Sequence, residues 1–225
     1  MKIGIIGAGN IGGTLTRRLT ELGHDVSVAN SRGPETLQDL ANETGAHAST
    51  VEEVVRGKDL VIVAIPEKAV TELPADLFSD VGEDTIVVET GNYYPQRDGR
   101  IKEIEDGMPE SVWVQQHFGR PVIKAFNNIR AEHLMNRGKP KGTPGRIALP
   151  VAGDDPRQKQ VVMRLIDDLG FDPVDAGPLA ESWRQQPGTP VYIADRDRAG
   201  VERALAEASP ERPAEFRARA RQAAD

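Results

Sequence analysis

The stretch from Met1 to Arg32 constrains this chain more than any other. Lys2-Ile3-Gly4-Ile5-Ile6 is an apolar run that leads directly into Gly7-Ala8-Gly9-Asn10-Ile11-Gly12. Ile11, Leu15, Leu19 and Leu22 then recur at helical spacing until Gly23, and a second run, Val26-Ser27-Val28-Ala29, ends in Asn30-Ser31-Arg32. A G-x-G-x-x-G pattern alone is weak, but strand, glycine turn, helix and strand within about thirty residues make it a dinucleotide fingerprint. In that setting Gly7 permits the tight turn, Gly9 removes a side chain that would block the pyrophosphate, and Gly12 lets helix and strand pack closely. The helix start at Asn10 and Ile11 offers free N–H groups to the diphosphate.

The end of the second strand discriminates between nicotinamide cofactors. A carboxylate there would accept hydrogen bonds from ribose hydroxyls and repel a 2′-phosphate. This chain has Asn30-Ser31-Arg32 instead. The Arg32 fork suits a phosphate and Ser31 can donate one more hydrogen bond, so the expected cofactor is NADP.

Beyond Arg32 the alternation continues. Gly33-Pro34 opens a helix with Leu37, Leu40 and Ala41 inward, Ala46-His47-Ala48 is a short strand, and Thr50 to Glu53 has capping-box spacing. Residues 60–65 are nearly all apolar, as a central parallel strand covered on both faces requires. A helix over 67–73, a strand over 85–89, a polar loop over 90–99, a helix over 110–118 and a strand over 121–125 follow. Residues 137–146 form a basic loop, 147–152 a strand, and Asp155-Pro156 caps a helix whose stripe is Val162, Leu165, Ile166 and Leu169. Asp172 to Ala176 is an edge strand, 177–190 a loop, and 195–208 a helix, with a helical or frayed tail beyond Pro213. The expected fold is α/β: a Rossmann-type, doubly wound, mostly parallel sheet of about eight strands with a small C-terminal extension. Residues 1–125 read as the NADP-binding domain. Residues 126–225 read as an extension that completes the sheet and an acceptor cleft.

Composition narrows the function classes. With no cysteine among 225 residues, disulfides, thiolate nucleophiles and cysteine-ligated metals are excluded. The four histidines, at 24, 47, 117 and 133, show no ligand spacing, so no metal site is expected. A net charge of −7 argues against nucleic acid as a partner. Neither a membrane-spanning run nor a signal-like N-terminus is evident, which reads as a cytoplasmic chain. An Ala-rich C-terminal helix and an edge strand are compatible with a homodimer.

In a doubly wound sheet, ligands sit outside the carboxyl ends of the strands. That rule adds Ile65, Pro66 and Asn92 to the cofactor residues and makes Asn127, Tyr93 and Trp183 the candidates for substrate contact. No nucleophile elbow, metal-binding helix motif or Walker lysine is present, and no catalytic acid is identifiable. Hydride transfer to a delocalised ring can proceed by positioning alone. The basic loop, with Arg137, Lys139, Lys141 and Arg146, has two readings: steering of an anionic acceptor, or a solvated loop.

Three motifs together resemble the NADPH-dependent deazaflavin (coenzyme F420) reductases: Gly7 to Gly12 with Asn30-Ser31-Arg32, Val151-Ala152-Gly153-Asp154-Asp155, and Asp175-Ala176-Gly177-Pro178-Leu179. The resemblance spans about residues 1 to 184 and implies hydride exchange between NADPH and an 8-hydroxy-5-deazaflavin in the cleft beneath the eighth strand's loop. Reduction of flavin, a ferric chelate or a small imine or carbonyl is the alternative among enzymes. A non-catalytic NADP(H) sensor is the alternative of another class.

Overall fold

The protein is described by a computed structural model over residues 1–218. Its first strand, β1 (Lys2–Ile6), passes through the glycine turn into α1 (Asn10–Glu21), β2 (Asp25–Ala29), a 3-10 turn at Pro34–Leu37, α2 (Gln38–Thr44), β3 (His47–Ala48) and α3 (Val51–Val54). There follow β4 (Leu60–Val63), α4 (Glu67–Val70), β5 (Ile86–Glu89), three helices α5 (Pro95–Asp98), α6 (Lys102–Glu105) and α7 (Glu110–Phe118), and β6 (Ile123–Lys124). The C-terminal part comprises α8 (Ala131–Asn136), β7 (Ala148–Val151), α9 (Pro156–Asp168), β8 (Asp172–Asp175), a 3-10 segment at Leu179–Gln185, α10 (Arg198–Glu207) and a final 3-10 turn at Ala214–Phe216. The end of the expected tail, residues 219–225, lies outside the described residues.

The main sheet has six parallel strands in the order β3-β2-β1-β4-β5-β6. This is the dinucleotide-binding order, with its crevice where the order reverses between β1 and β4. Strand β4 shows why its sequence is continuously apolar. Leu60 and Ile62 pack into the core on one face, and Val61 and Val63 into the core on the other. The first face is closed by α1, with Leu15 and Leu19, and by α9, with Val162, Leu165, Ile166 and Leu169. Residues from beyond 125 therefore share a core with the N-terminal unit.

All eight expected strands form, but not as one sheet. Strands β7 and β8 pair in parallel as a separate two-stranded sheet. Its link to β6 is a lone antiparallel bridge between Lys124 and Ala152, with N–H···O distances of 2.8 and 3.0 Å. Strand β6 pairs with β5 over only two residues, and β7 meets it running the opposite way, so the parallel ladder stops there.

Several local readings hold. Thr50 and Glu53 form the reciprocal capping box of α3, and Asp155 caps α9 by accepting from Arg157 and Gln158. Helices α6 and α8, which the sequence reading did not include, are short and carry only one buried residue each, Ile104 and Leu134. Too few apolar positions recur in them for a periodic signal.

Candidate cofactor site and the strand ends around it

Gly7 adopts φ +103°, and a Cβ there would lie 2.3 Å from the carbonyl oxygen of Ala64. A Cβ on Gly12 would stand 1.9 Å from the Gly7 carbonyl oxygen. These two glycines are required by the protein itself. Gly9 differs, because a Cβ there would meet nothing within 4 Å. Its missing side chain opens space outside the protein, as close approach of a pyrophosphate demands. Gly9 is also the N-cap of α1 and supplies no side-chain cap, and the first turn holds no acidic residue. The N–H groups around Asn10 and Ile11 are left for an anion. The Ile11 side chain itself packs against the core.

Two cavities flank the turn. One, of about 390 Å³, is lined by Gly7, Asn30, Ser31, Ile65, Pro66 and Leu73, so it gathers expected residues from the ends of β1, β2 and β4. The other, of about 440 Å³, lies between Gly9, Asn10 and Arg17 of the turn and α1, and Met135 of α8. At the exposed end of β2, the Arg32 backbone N–H donates to Asn30 Oδ1 at 2.9 Å. Asn30 Nδ2 in turn donates to Thr36 Oγ1 at 2.9 Å, which fixes the turn. Among the described residues the Arg32 guanidinium has no hydrogen-bond or ion-pair partner.

The expected substrate residues are placed differently. Asn127 is 3% exposed and its amide is saturated: Nδ2 donates to Asn92 Oδ1 at 3.0 Å and to the Gln185 carbonyl at 2.7 Å, and Oδ1 accepts from Gln185 Nε2 at 3.0 Å. Asn92 Nδ2 donates to the Asn127 carbonyl at 3.0 Å. Phe126, buried at φ 62°, turns the chain sharply after β6 and brings Asn127 into this contact. Tyr93 is sealed in a core with Val70, Ile104, Trp113 and Val114; its hydroxyl donates to the Gly99 carbonyl and accepts from the Ile101 N–H. Burial pushes that phenol up to about 12. Trp183 lies under the Arg184 guanidinium, 4.3 Å from the ring centre, and lines a third cavity of about 600 Å³ that shares no residue with the two at the glycine turn. None of the three lines the two cavities at the glycine turn, and protein partners engage the Asn127 amide and the Tyr93 hydroxyl.

Three charges of the basic loop are engaged in ion pairs. Arg146 is 2% exposed and its Nη1 reaches Asp167 at 2.6 Å and Asp172 at 2.7 Å. Lys141 adds 2.8 Å to Asp167, and Arg137 faces Asp195 at 3.6 Å. Arg146 and Lys141 tie the loop to α9 and β8, and Arg137 faces the segment that precedes α10.

Sequence reasoning missed a cluster of charges at the ends of β4, β5 and β6. Lys124 and Glu89, both closed to solvent, pair at 2.7 Å, and Ser111 Oγ donates to the same Glu89 oxygen. Glu110, also buried, pairs with Arg212 at 2.8 Å. Glu67 is wholly buried, and among the described residues neither carboxyl oxygen has a hydrogen-bond partner. Burial first, then the nearby Glu89, raises its pKa well above the usual carboxylate range, with Lys124 opposing. Burial works to lower the Lys124 ammonium, but Glu89, Glu110 and Glu67 outweigh it and hold it above its usual value. The available signal was a charged residue closing each apolar run, Glu89 after Ile86-Val87-Val88 and Lys124 after Val122-Ile123.

With this geometry in place, comparison with known proteins is decisive for the cofactor end. Residues 2–93 match the family described as NADP oxidoreductase, coenzyme F420-dependent. The match takes in 92 of the 225 residues, the nucleotide-binding part of the chain. Every expected cofactor residue, from Gly7 to Asn92, falls inside the matched stretch, and the family is NADP-dependent. Escherichia coli YjhV is 51% identical over 86 residues, which are 38% of this chain and 56% of that protein. Rat metalloreductase STEAP3 is 28% identical over 182 residues, 80% of this chain and 35% of that protein. The chain thus spans about half of the first relative and about a third of the second. Among solved structures, Sinorhizobium meliloti SMa0349 aligns with a TM-score of 0.71 at 30% identity, covering 85% of this chain and 92% of that one. A protein of Arthrobacter sp. FB24 assigned as an F420-dependent NADP-reductase aligns at 0.65 and 24% identity, covering 80% and 86%, and supports the fold. No helix of the described residues is long and apolar enough to cross a membrane.

Proposed function

We propose that the chain is an NADP(H)-dependent oxidoreductase that exchanges a hydride between the nicotinamide and an 8-hydroxy-5-deazaflavin. The observation that carries the cofactor half is the open face of Gly9 over an uncapped helix start, in line with the unpartnered Arg32 fork at the end of β2. In this reading the turn from Gly7 to Gly12 holds the pyrophosphate, Ser31 and Arg32 take the 2′-phosphate, and Ile65 and Pro66 flank the nucleotide in the cavity they line. NADPH supplies the hydride, and a proton from solvent completes the two-electron reduction of the acceptor. The protein's contribution is orientation of two flat rings. The deazaflavin rests on the family match and on the motifs at 151–155 and 175–179.

The STEAP3 likeness over most of the chain favours a second reading, reduction of a ferric chelate or a flavin. One experiment separates the readings. NADPH oxidation is followed by absorbance with a deazaflavin, a flavin, a ferric chelate and a small imine in parallel. Preferred turnover of the deazaflavin is expected; preferred turnover of another acceptor reassigns the substrate. Tight NADPH binding with no oxidation by any acceptor points to a sensor.

A further inference from the structure

We propose that Glu67, Glu89 and Lys124 form a positioning device that clamps the Gly91 peptide and through it sets Asn92 at the nicotinamide end of the site. Three contacts define the clamp. Glu89 Oε2 accepts from the Gly91 N–H at 2.8 Å, and Lys124 Nζ donates to the Gly91 carbonyl at 2.6 Å. Glu67 closes the third side: a Cβ on Gly91 would lie 2.4 Å from Glu67 Oε1 and 3.2 Å from Glu89 Oε2. A side chain on Gly91 would require the Glu67 carboxyl group to move. The next residue, Asn92, exchanges amide hydrogen bonds with Asn127, so the clamp fixes the junction between the ends of β5 and β6.

The charges in and around the clamp specify the state in which it closes. Lys124 from β6 is engaged by Glu89 from β5, and Arg212 by Glu110 from α7. On α5, Arg97 and Asp98 pair with each other at 2.8 Å. Among the described residues no cation pairs with Glu67, on α4, and no N–H or O–H donates to it. An ionised carboxylate in that position would be buried, unpaired and beside Glu89, which is strongly unfavourable. The clamp therefore closes around Glu67 as a neutral acid. Ionisation of Glu67 releases it, because the new charge must either reach water or repel Glu89.

The functional consequence rests on the oxidoreductase reading, but the clamp itself can be tested without it. Amide hydrogen exchange over residues 90–99 is measured on the purified full chain, without NADPH, across a pH series for the native protein and Glu67→Gln. Glutamine keeps the shape and neutrality of the acid. Past the titration of Glu67, native exchange in this loop should outrun that of Glu67→Gln by about tenfold per pH unit. Identical pH dependence in the two proteins overturns the role of Glu67. Loss of protection at every pH in Glu67→Gln overturns the neutral form.

A Lys124→Met/Glu89→Met double variant removes both charges together and avoids an orphaned buried ion. Faster exchange confined to 90–99 is expected, and native-like exchange there would refute the clamp. If this variant fails to fold, the Glu67→Gln comparison still decides. In turnover, Glu67→Gln should lose the alkaline fall in kcat while KM for NADPH stays on the native profile. An alkaline fall retained in Glu67→Gln removes the link between clamp and hydride transfer. If no acceptor is reduced at all, the oxidoreductase reading fails and the exchange data still judge the clamp.

Discussion

Asn92 and Asn127 hold each other across the ends of β5 and β6, each carboxamide donating to the other residue at 3.0 Å. Both sequence positions suggested ligand contact, and in the structure the pair also ties the strand-end loop to the 3-10 segment at Leu179–Gln185. Asn127→Ala leaves Gln185 Nε2 and the Asn92 carboxamide oxygen without their partner. A buried group left unsatisfied costs about 1–3 kcal/mol. Chemical denaturation should show a loss of that order, with Asn127→Asp worse, because a carboxylate would face the Asn92 and Gln185 oxygens. Unchanged stability in Asn127→Ala would mean that the tie contributes nothing.

The glycines of the turn separate by role. Gly9→Ala should leave the unfolding midpoint close to native, since its φ of −76° is ordinary and its Cβ has open space. The same change should weaken NADPH binding, which titration of reduced-nicotinamide fluorescence reports. Gly12→Ala should destabilise the fold itself, because its Cβ would collide with the Gly7 carbonyl. Equal effects on stability would contradict this division.

Arg32→Ala removes a charged donor that no described residue uses. NADPH affinity should fall by about 1.5–3 kcal/mol, the scale of a hydrogen bond to a charged group, while NADH affinity barely changes. An equal loss for both cofactors would take the 2′-phosphate away from Arg32.

Arg146 is a structural charge. Arg146→Met leaves Asp167 with Lys141 alone and takes from Asp172 the ion pair it makes with Arg146. The expected result is a lower denaturation midpoint with NADPH affinity unaltered in the protein that remains folded.

Two carboxyl groups should shape stability against pH in opposite senses. Hydrogen bonds from Lys141 and Arg146 hold Asp167 below its ordinary value, so its contribution is present above the unfolded-state pKa and is lost as pH falls through the depressed folded-state value. Burial raises Glu67, so the folded state keeps a proton that the unfolded state has released, and stability declines as pH rises from the ordinary glutamate value towards the raised one. Glu67→Gln should remove the second decline and leave the first, as measured by thermal unfolding across pH.

Much of the fold was legible because its signals are local. The continuous apolar run at Leu60–Val63 announced a strand covered on both faces, and Thr50 with Glu53 announced the start of α3. Strand pairing beyond β6 was not legible. Nothing local in residues 147–152 says whether β7 continues a ladder or meets it head-on at a single bridge. Side-chain partners were equally hidden: Arg146 reads as solvated in a loop of Lys, Gly and Pro, yet its two aspartates arrive from α9 and β8.

By itself the sequence determined the nucleotide unit. Glycine at 7, 9 and 12 is a matter of backbone geometry and free space, and Arg32 is a matter of charge at a strand end; neither needs distant residues to be interpreted. Only the tertiary structure decided what Glu67, Glu89 and Lys124 are. They lie on three different elements, and their meaning comes from burial, which makes a charge costly, and from proximity, which decides which carboxyl group is left without a cation.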